Sequence, residues 1–396
     1  MMRLIKVFPS FIALILCMGC TYSDDSPELA EYFQDSSLPA AVMGSTTTDG
    51  PVEWHTFGPA VWSEDEAVTE DHIFRIASMT KAITSVAALQ LVEQGLVGLD
   101  EPLDDLMPEM AAIPILTGEG ELSQSETSIT LRHLLTHTAG FGYDFTSPRL
   151  AGFDPEEWNY PDNPRLFEPG ARFLYGTNTD WAGKVVEKVS GQDLETYFRE
   201  NITGPLGMGR TWFNVPDSLK ENIVSIGMRD STGFQENERI PQELVTEYSG
   251  GGGLYSSPSD YLTFLTAILN DGEYENGQIL KPETVSMLFE NQLPSGITLQ
   301  FDTPDGALTS TTGAFQDETD VFSLAWAIEF NEDEDVRPQG AGYWAGIANS
   351  YYTIDKANGV AVVYFTQFLP FNDKESYNFY RLYEKQVYSD IGIGNE

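Results

Sequence analysis

The segment at residues 74–95 constrains the fold more than any other part of the chain. It reads FRIASMTKAITSVAALQLVEQG, and from Ala82 to Val92 its apolar residues cover almost the whole circumference of a helix. A helix that is apolar on all sides is stable only when other elements surround it. We therefore expect this helix to lie inside a large core and to end at Gly95, a typical C-cap residue. Its first turn nevertheless carries a hydroxyl, Ser78, and an ammonium, Lys81.

The composition allows such a core. The chain has 396 residues, of which 41% are hydrophobic and 12% aromatic, enough for one large domain or two smaller ones. Its 21 Lys and Arg face 61 Asp and Glu, which gives a net charge of −40. A surface of this charge repels nucleic acids and anionic lipid headgroups, so we expect no nucleic-acid partner. Because the acidic residues are spread along the chain, a solvated surface suited to salt explains them better than a specific cation-binding role.

Residues 1–19 have the pattern of a secretory signal, with two basic residues before an apolar run of roughly a dozen residues, short for a bilayer span. Gly19 and Cys20 resemble the end of a bacterial lipoprotein signal, although Cys17 is unusual in its position. Two outcomes stay open for the exported protein. One is a lipid on Cys20 with membrane attachment, in the periplasm or at the outer membrane, and the other is simple cleavage with secretion. Both cysteines lie in this segment, so the mature protein has no internal disulfide.

The rest of the chain divides into an expected acidic lead at residues 20–37 and one domain at residues 38–390. Alternating residues between 38 and 62 indicate an early hairpin. Near the C-terminus, FSLAWAIEF, YWAGIANSYYTID and GVAVVYFTQF have strand patterns, and the tight turn KANG joins the last two. A polar stretch around residues 295–320 is expected to be a loop.

Helical patterns occupy residues 176–191, 257–272 and 373–391, each with a capping residue at one end or both. Combined with the strand patterns, they predict an α/β (α+β) fold. In this fold the two ends of the chain build an antiparallel sheet flanked by terminal helices, and a mostly helical subdomain is inserted between them.

The pair Ser78 and Lys81 is the first candidate for chemistry. Residues i and i+3 share one face of a helix, so the hydroxyl and the amine can approach hydrogen-bonding distance. A lysine that acts as a base near neutral pH needs its pKa lowered by about 3, roughly 4 kcal/mol, and apolar surroundings lower it in this direction. Such a lysine makes serine a nucleophile. The alternative is that Ser78 caps the helix while Lys81 extends to solvent.

Five segments of the chain carry a further signal. They are FRIASMTK (74–81), LRHLLTHTAGFGYDF (131–145), PGARFLYGTNTDWAGKVVEKVSG (169–191), SGGGGLYSSPSDYLTFL (249–265) and GYWAGIANSYYTIDKANGVAVVYFTQFLP (342–370). In this order they resemble segments of the serine β-lactamase and penicillin-binding-protein superfamily, and of class C β-lactamases in particular. The resemblance covers the chain from roughly residue 38 to its C-terminus, and the co-occurrence of the five segments is more specific than any one of them.

The resemblance implies a role for each matching residue. Ser78 would be the nucleophile that accepts the acyl group, and Lys81 its base or proton relay. Tyr175 would be the second base, which returns a proton to the leaving group and later activates water or another acceptor. The backbone N–H groups of Ser78 and Ile347 would form the oxyanion hole.

Three further positions would shape the substrate pocket. Tyr143 and Trp344 are candidate pocket walls, with plain core packing as the alternative for each. Gly346 would leave room for the acyl group along its strand.

Two departures from the β-lactamase pattern bear on the substrate. The second motif, Tyr-x-Asn in β-lactamases, reads Tyr175-Gly-Thr here, with Asn178 one place late, and Lys-Thr-Gly is replaced by Trp344-Ala-Gly. The missing lysine would hold the carboxylate of a β-lactam or a D-Ala-D-Ala peptide. An indole instead favours a neutral acyl or alcohol group. This combination is similar to the family VIII carboxylesterases and related transesterases.

The function implied is therefore serine hydrolysis of small-molecule esters or amides through an acyl-enzyme on Ser78, with acyl transfer to alcohols as an extension and no cofactor. A β-lactamase or D-Ala-D-Ala carboxypeptidase is the first alternative, with Arg337 as the nearest candidate in sequence to anchor a carboxylate. A non-catalytic protein that binds ligands or peptidoglycan is the second.

Two other chemistries are disfavoured. A Ser-His-Asp hydrolase would carry Gly-x-Ser-x-Gly at a strand-to-helix turn, and the sequence contains no such pentapeptide. His133 and His137 have the i, i+4 spacing of zinc ligands, but the residues between them include no glutamate to act as a base. We therefore expect no metal site.

Overall fold

The computed structural model describes residues 21–22, 26–48, 50–118, 120–155, 157–299, 308–310, 315, 319–331 and 337–393. The expected signal at residues 1–19 and the lipid-attachment residue Cys20 lie outside these ranges, as does much of the expected loop at residues 295–320. None of the helices formed by the described residues has the length and apolar character needed to cross a bilayer.

The described residues form ten α-helices. They are α1 (Pro27–Asp35), α2 (Thr80–Glu93), α3 (Pro108–Ala111), α4 (Leu131–Leu135), α5 (Pro148–Ala151), α6 (Asn178–Ser190), α7 (Leu194–Phe198), α8 (Pro258–Leu269), α9 (Pro282–Met287) and α10 (Lys374–Asp390). Short 3₁₀ turns at Ala77–Met79 and Asp217–Asn222 and a π turn at Arg199–Thr203 complete the helical structure.

Seventeen strands, many of two residues, are formed in the same ranges. They are β1 (Thr21–Tyr22), β2 (Ala41–Thr47), β3 (Glu53–Phe57), β4 (Phe74–Arg75), β5 (Ile115–Leu116), β6 (Leu122–Ser123), β7 (Ile226–Asp230), β8 (Gly233–Asn237), β9 (Tyr255–Ser256), β10 (Glu273–Tyr274), β11 (Gly277–Gln278), β12 (Val321–Phe322), β13 (Ala327–Ile328), β14 (Gly342–Gly346), β15 (Ser350–Asp355), β16 (Val360–Phe365) and β17 (Phe368–Leu369).

One eight-stranded sheet organises the fold, with the strand order β1-β3-β2-β16-β15-β14-β13-β12. All its pairs are antiparallel except β1 with β3. The N-terminal hairpin of β2 and β3 joins the C-terminal strands through β2 and β16, where Val42 pairs with Phe365 and Thr47 with Val360. The predicted sheet built from both chain ends is confirmed.

The two faces of this sheet are covered by different helices. Successive side chains of a strand point to opposite faces, and β15 shows this directly. The ring of Tyr351 stacks on Tyr380 of α10, with centroids 5.1 Å apart, whereas the ring of Tyr352 lies 5.4 Å from Tyr261 of α8. Helix α1 packs beside α10, α8 packs on β2, β15 and β16, and α2 packs against α6 in the helical subdomain. The terminal helices therefore flank one face, and the candidate site belongs to the other.

Two predicted boundaries need correction. The expected acidic lead at residues 20–37 contains α1, whose Tyr32 stacks on Phe379 of α10 with centroids 4.9 Å apart, so the fold begins before residue 38. The segment YWAGIANSYYTID is two antiparallel strands, β14 and β15, and not one. Its turn contains Asn349 at a φ of +61°, a conformation that asparagine tolerates better than most residues. Its buried amide also donates to two backbone carbonyls.

Helix α2 lies where its sequence requires. Every residue from Thr80 to Leu91 is buried, and the helix packs against α6, α7 and the turn that precedes it. The Gly95 that follows has a φ of +69°. Because α2 is buried on all sides, its few polar side chains are shielded from solvent and bind other protein groups. These groups form the candidate site.

Candidate active site

Ser78 lies in the 3₁₀ turn between β4 and α2. Strands contact this turn on two sides. Strand β4 pairs with β9, and the residue before the nucleophile, Ala77, has a φ of +45°. A non-glycine residue rarely adopts this conformation without support from its surroundings. On the other side, a Cβ at Gly346 of β14 would collide with the carbonyl oxygen of Ile76. Glycine therefore allows β14 to pack directly against the turn that carries Ser78.

Lys81 is buried, with 2% of its surface exposed, so the alternative in which it extends to solvent is wrong. Its Nζ lies 3.3 Å from Ser78 Oγ, 3.0 Å from the Tyr143 hydroxyl and 2.6 Å from the Gly251 carbonyl oxygen, and it donates to all three. An ammonium has three donor hydrogens, and this arrangement gives each of them an acceptor. The predicted contact between hydroxyl and amine is present.

The expected fall in the pKa of Lys81 is wrong. Burial alone would lower this pKa, but the neighbouring phenols Tyr143 and Tyr175 and the carboxylate Asp180 raise it above its ordinary value. The apolar residues of α2 indicated only the desolvation, because they do not show which distant groups face the ammonium. Lys81 is therefore charged in the resting site. A charged lysine is poised to stabilise a nearby anion and not to accept a proton by itself.

The glycine-rich segment at residues 249–254 closes one side of the site. Asp180, on the first turn of α6, accepts hydrogen bonds from the Ser249 hydroxyl and the Gly251 N–H. A Cβ at Gly251 would collide with the same carboxylate. The hydroxyl of Thr84 binds the neighbouring carbonyl of Gly250 at 2.6 Å. The lack of side chains lets this backbone reach α2 and α6 together, and it aims a carbonyl at Lys81.

Tyr175 is surrounded by three other rings. Centroids of His137, Tyr143 and Trp344 lie 4.7, 5.7 and 5.0 Å from its own. Its hydroxyl accepts a hydrogen bond of 3.1 Å from the Trp344 indole, and Lys81 Nζ lies 4.7 Å above the ring. The structure thus gathers Ser78, Lys81 and Tyr175, which lie far apart in the sequence, into one cluster.

Tyr143 has a closer relation to the chemistry than its predicted place in a pocket wall. Its hydroxyl is a direct hydrogen-bond acceptor for Lys81. Burial raises the pKa of this phenol, although the Lys81 ammonium opposes the shift. The close approach of residues 141–143 to the Tyr175 loop depends on Gly176, where a Cβ would collide with the Phe141 carbonyl oxygen.

Two features were expected near the third motif, a pocket wall at Trp344 and a carboxylate anchor at Arg337. The structure places the two side chains on different faces of the sheet. The indole is 3% exposed and packs against Phe322 and Tyr175 on the site's side of β14. Arg337, the candidate carboxylate anchor, is 2% exposed and forms ion pairs with Glu384 at 3.1 Å and Glu329 at 3.6 Å. It lies on the α10 face of the sheet and cannot reach a substrate at Ser78.

Ile347 follows the last residue of β14, the strand that packs against the turn of Ser78, and its part in an oxyanion hole stays a prediction. Asn178 is fully buried, and its amide donates to the carbonyls of Phe141 and Leu174, so it fixes the segment that carries Tyr175.

His133 accepts a hydrogen bond from the backbone N–H of Thr130 at the start of α4.

Two residues that contribute to the site were not identified from the sequence. Asp180 holds the glycine-rich segment in place. Two sequence features could have identified it, namely its position in the first turn of a helix and the run of four glycines that it binds. His137 packs on Tyr175, and burial together with Lys81 keeps its pKa well below the usual value, so it is neutral. No group of three or more His, Cys, Asp or Glu suited to holding a metal ion occurs among the residues that the structure describes.

The sequence matches a known family. The family model described as Beta-lactamase matches residues 28–386, most of the chain. The chain belongs to the β-lactamase family. The match begins inside α1, in agreement with the packing of that helix on α10.

Two curated relatives of this β-lactamase family member are named for acyl transfer and ester hydrolysis. It is 32% identical over 389 residues to monacolin J acid methylbutanoyltransferase of Aspergillus terreus, with 90% of this chain and 93% of the relative covered. It is 33% identical over 256 residues to the lovastatin esterase of Penicillium rubens, with 56% and 60% covered. These relatives support a serine acyltransferase or hydrolase activity for the chain.

A solved structure gives the same picture. The chain superimposes on simvastatin synthase from Aspergillus terreus, the LovD9 mutant, with a TM-score of 0.78 and 28% identity, covering 91% of this chain and 97% of the other. The expected superfamily and fold are therefore confirmed, together with the likeness to transesterases.

Proposed function

We propose that the protein cleaves small carboxylic esters through an acyl-enzyme on Ser78 and passes the acyl group to water or to an alcohol. One observation carries this proposal. Lys81 Nζ is held between Ser78 Oγ, 3.3 Å away, and the hydroxyl of Tyr143, while its charge lies over the ring of Tyr175. This places a nucleophile, a fixed positive charge and two phenols in one buried cluster.

In the acylation step, Ser78 Oγ attacks the ester carbonyl and loses its proton to the cluster. Since Lys81 keeps its own proton, we assign the receiving atom to the oxygen of Tyr175, which accepts the proton as a phenolate, with Tyr143 orienting the ammonium. The ammonium stabilises the negative charge that this oxygen carries in the basic form. The proton is then delivered to the leaving alcohol as the carbon–oxygen bond breaks.

The tetrahedral intermediate carries a negative charge on the former carbonyl oxygen. The N–H groups of Ser78 and Ile347 would bind this oxygen, and donors preorganised in this way are worth about 10²–10³ in rate. Water or an alcohol then attacks the acyl-enzyme and gives its proton to the same phenol oxygen. Ser78 leaves with the returned proton, and the site is restored.

The substrate class follows from the third motif. Trp344 stands where a cation would hold the carboxylate of a β-lactam, and Arg337 is sequestered by Glu384 and Glu329. An acyl group beside the indole is therefore neutral. We expect Trp344→Lys to raise β-lactam turnover relative to ester turnover by about tenfold, the value of one charge-assisted contact. An unchanged ratio, measured on purified protein that retains its fold, would argue against this assignment.

Intact-protein mass spectrometry after exposure to a mixed panel of esters and β-lactams tests the function directly. We expect the acyl mass of an ester on the wild type and no adduct on Ser78→Ala. Release of coloured product from a short-chain p-nitrophenyl ester separates the enzyme from the alternative of a binding protein. An adduct from β-lactams alone would favour the β-lactamase alternative, and no adduct together with no release would favour the binding protein.

We also propose export of the protein, with lipid attachment at Cys20 or simple cleavage. The pattern of residues 1–20 supports this proposal, while the relatives described above are fungal and add no support for a bacterial lipoprotein. The mass of the mature N-terminus from the native host distinguishes a lipidated Cys20 from an unmodified terminus. A protein that keeps Met1 and remains inside the cell would exclude both forms.

A further inference from the structure

The segment at residues 366–368, which follows β16, binds the backbone on both sides of the predicted oxyanion hole. Its contacts reach β4, the strand that leads to Ser78, and the turn after β14, which begins with Ile347. The two N–H groups expected to bind the oxyanion belong to these two parts of the backbone. Their separation therefore depends on what joins the two parts.

Gln367 binds β4 through its side chain, which is 4% exposed. Its amide oxygen accepts a hydrogen bond of 2.7 Å from the Arg75 N–H, and its amide nitrogen donates to the Arg75 carbonyl at 3.3 Å. The neighbouring Ile76 N–H donates to the Leu254 carbonyl at 3.0 Å. A buried amide that pairs with both backbone groups of one residue takes the place of a neighbouring strand. It fixes the backbone three residues before Ser78.

Thr366 binds the turn between β14 and β15. Its hydroxyl lies 3.1 Å from the Ala348 carbonyl oxygen and 3.0 Å from that of Asn349, and it shares one hydrogen between them. The Phe368 N–H donates to the same Ala348 carbonyl at 3.3 Å. Since Ala348 follows Ile347 directly, these hydrogen bonds fix the backbone beside the Ile347 N–H.

Close packing is a second kind of contact between the two parts. A Cβ at Gly346 would collide with the Ile76 carbonyl oxygen, so β14 touches the backbone before Ser78. Packing of this kind sets a minimum distance but does not stop the parts from separating, whereas hydrogen bonds do oppose separation. Because Thr366 and Gln367 are adjacent, a single peptide bond joins the contacts on one side to those on the other.

We propose that Gln367 and Thr366 are positioning residues that set the distance between the N–H groups of Ser78 and Ile347. The inference rests on the proposed function, because these N–H groups act when a tetrahedral intermediate forms on Ser78. Both acylation and deacylation pass through such an intermediate, and neither positioning residue takes part in a bond that forms or breaks. A displacement of about 1 Å can cost on the order of 10²-fold in rate.

Gln367→Met tests the proposal, because methionine has a similar size and makes neither hydrogen bond. We expect kcat for a p-nitrophenyl ester, counted per active site from the burst amplitude, to fall about tenfold while KM changes less than about twofold. Gln90→Met is the control. The Gln90 amide is also buried and donates to the carbonyls of Asn201 and Ile279, near the far end of α2. This variant should lose similar stability and keep its kcat.

A boronic acid gives a readout that a general loss of stability would not change. It forms a tetrahedral adduct with the oxygen of Ser78, places one hydroxyl where the oxyanion lies, and needs no turnover. Its dissociation constant should rise in Gln367→Met by the same factor as kcat/KM falls. Unchanged boronate affinity would mean that any loss of rate has another cause, and an unchanged kcat would mean that the N–H groups keep their positions without Gln367. Either result overturns the proposal.

Thr366→Val removes the other end of the connection and keeps the shape of the side chain, so it carries the test alone if Gln367→Met does not fold. Because the two residues act in series, the double variant should be within about twofold of the slower single variant. Effects that multiply would show two independent contributions and would contradict the connection. If no ester acylates the wild type at Ser78, the proposed function is refuted, and the boronate affinities still test the positioning.

Discussion

Two buried cations lie on opposite faces of the sheet, and their surroundings differ in kind. The neighbouring residues Tyr343 and Trp344 of β14 mark the two sides. Arg337 lies over the ring of Tyr343 and is paired with Glu384 and Glu329. Lys81, on the other side, contacts a hydroxyl, a phenol and a carbonyl, and no carboxylate directly. One cation is neutralised within the core, and the other is only solvated by dipoles.

The difference separates a structural charge from a functional one. A buried cation matched by carboxylates has no net field to offer a reacting group, and removing either partner leaves the other charge unpaired. A buried cation held by neutral dipoles keeps its field, which can stabilise an anion that forms during a reaction. The free-energy cost of burying a cation is therefore offset by carboxylates at Arg337 and by neutral dipoles at Lys81.

Replacing the functional cation should give the largest effect on rate. We expect Lys81→Met to lower the rate of Ser78 acylation at least about 10³-fold, because the fixed charge that stabilises the basic form of Tyr175 is lost. The melting temperature should remain close to that of the wild type. Burst kinetics with a p-nitrophenyl ester measure the rate, with Lys184→Met on the exposed side of α6 as the control. An unchanged burst rate would show that Lys81 is not a functional cation.

Replacing a partner of the structural cation should give the opposite profile. Although burial would raise the pKa of Glu384, Arg337 and Arg381 hold it below its usual value. Glu384→Gln should cost about 3–5 kcal/mol of the free energy of unfolding, while the acylation rate of the folded fraction stays near that of the wild type. Asp100→Asn, which breaks an exposed pair with Arg132, should cost less than about 1 kcal/mol. Denaturant unfolding measures both, and equal costs would contradict the distinction.

The two phenols near Lys81 should differ in their effect on rate. Tyr175→Phe removes the proposed proton acceptor and should lower kcat about 10²-fold. Tyr143→Phe removes one acceptor of the ammonium and should lower kcat only about tenfold, the scale of one hydrogen bond to a charged group. Steady-state kinetics on one ester rank the two. The reverse order would transfer the proton-accepting role to Tyr143.

The smallest expected effect is a pH dependence on the structural side. Burial and the neighbouring Asp320, against the opposing Arg337, raise the pKa of Glu329 from 4.5 to about 7. A carboxyl with a raised pKa stabilises the fold fully below its unfolded pKa, and the contribution is lost as the pH rises through the folded value. Between pH 4.5 and 7.5 the wild type should lose about 1–3 kcal/mol relative to Glu329→Gln, in which this group does not titrate.

Unfolding curves of the two proteins across that range measure the difference. Parallel curves would show that Glu329 keeps an ordinary pKa. The acylation rate should show no inflection from this group, since Glu329 lies on the face away from Ser78.

Local spacing made part of the site predictable. Ser78 and Lys81 are three residues apart, so the helix period alone places them together. Tyr175 could be assigned only through the resemblance to a family. The partners that set the charge state of Lys81 could not be predicted, because Tyr143 and Asp180 are brought to it by tertiary packing.

Closeness in sequence was misleading for Arg337. It precedes Trp344 by seven residues, yet the alternation of β14 and the path of the chain place the two side chains on opposite faces. The sheet itself was predictable from the strand patterns and the KANG turn. The turn at residues 347–349 was missed because it contains no glycine or proline itself, and α1 was missed because its acidic residues resemble an unstructured lead.

The glycine-rich segment has a consequence for how the substrate range of such an enzyme can diverge over evolutionary time. A side chain at Gly251 would meet Asp180, and one at Gly250 would press on Thr84, so this wall tolerates little change without disturbing the ammonium. Leu244 and Val245, which line a cavity together with Gly252 and Gly253, are exposed, and Val245 is held through its backbone N–H and carbonyl. New specificities should therefore accumulate at Leu244 and Val245, while the glycine-rich segment stays nearly invariant.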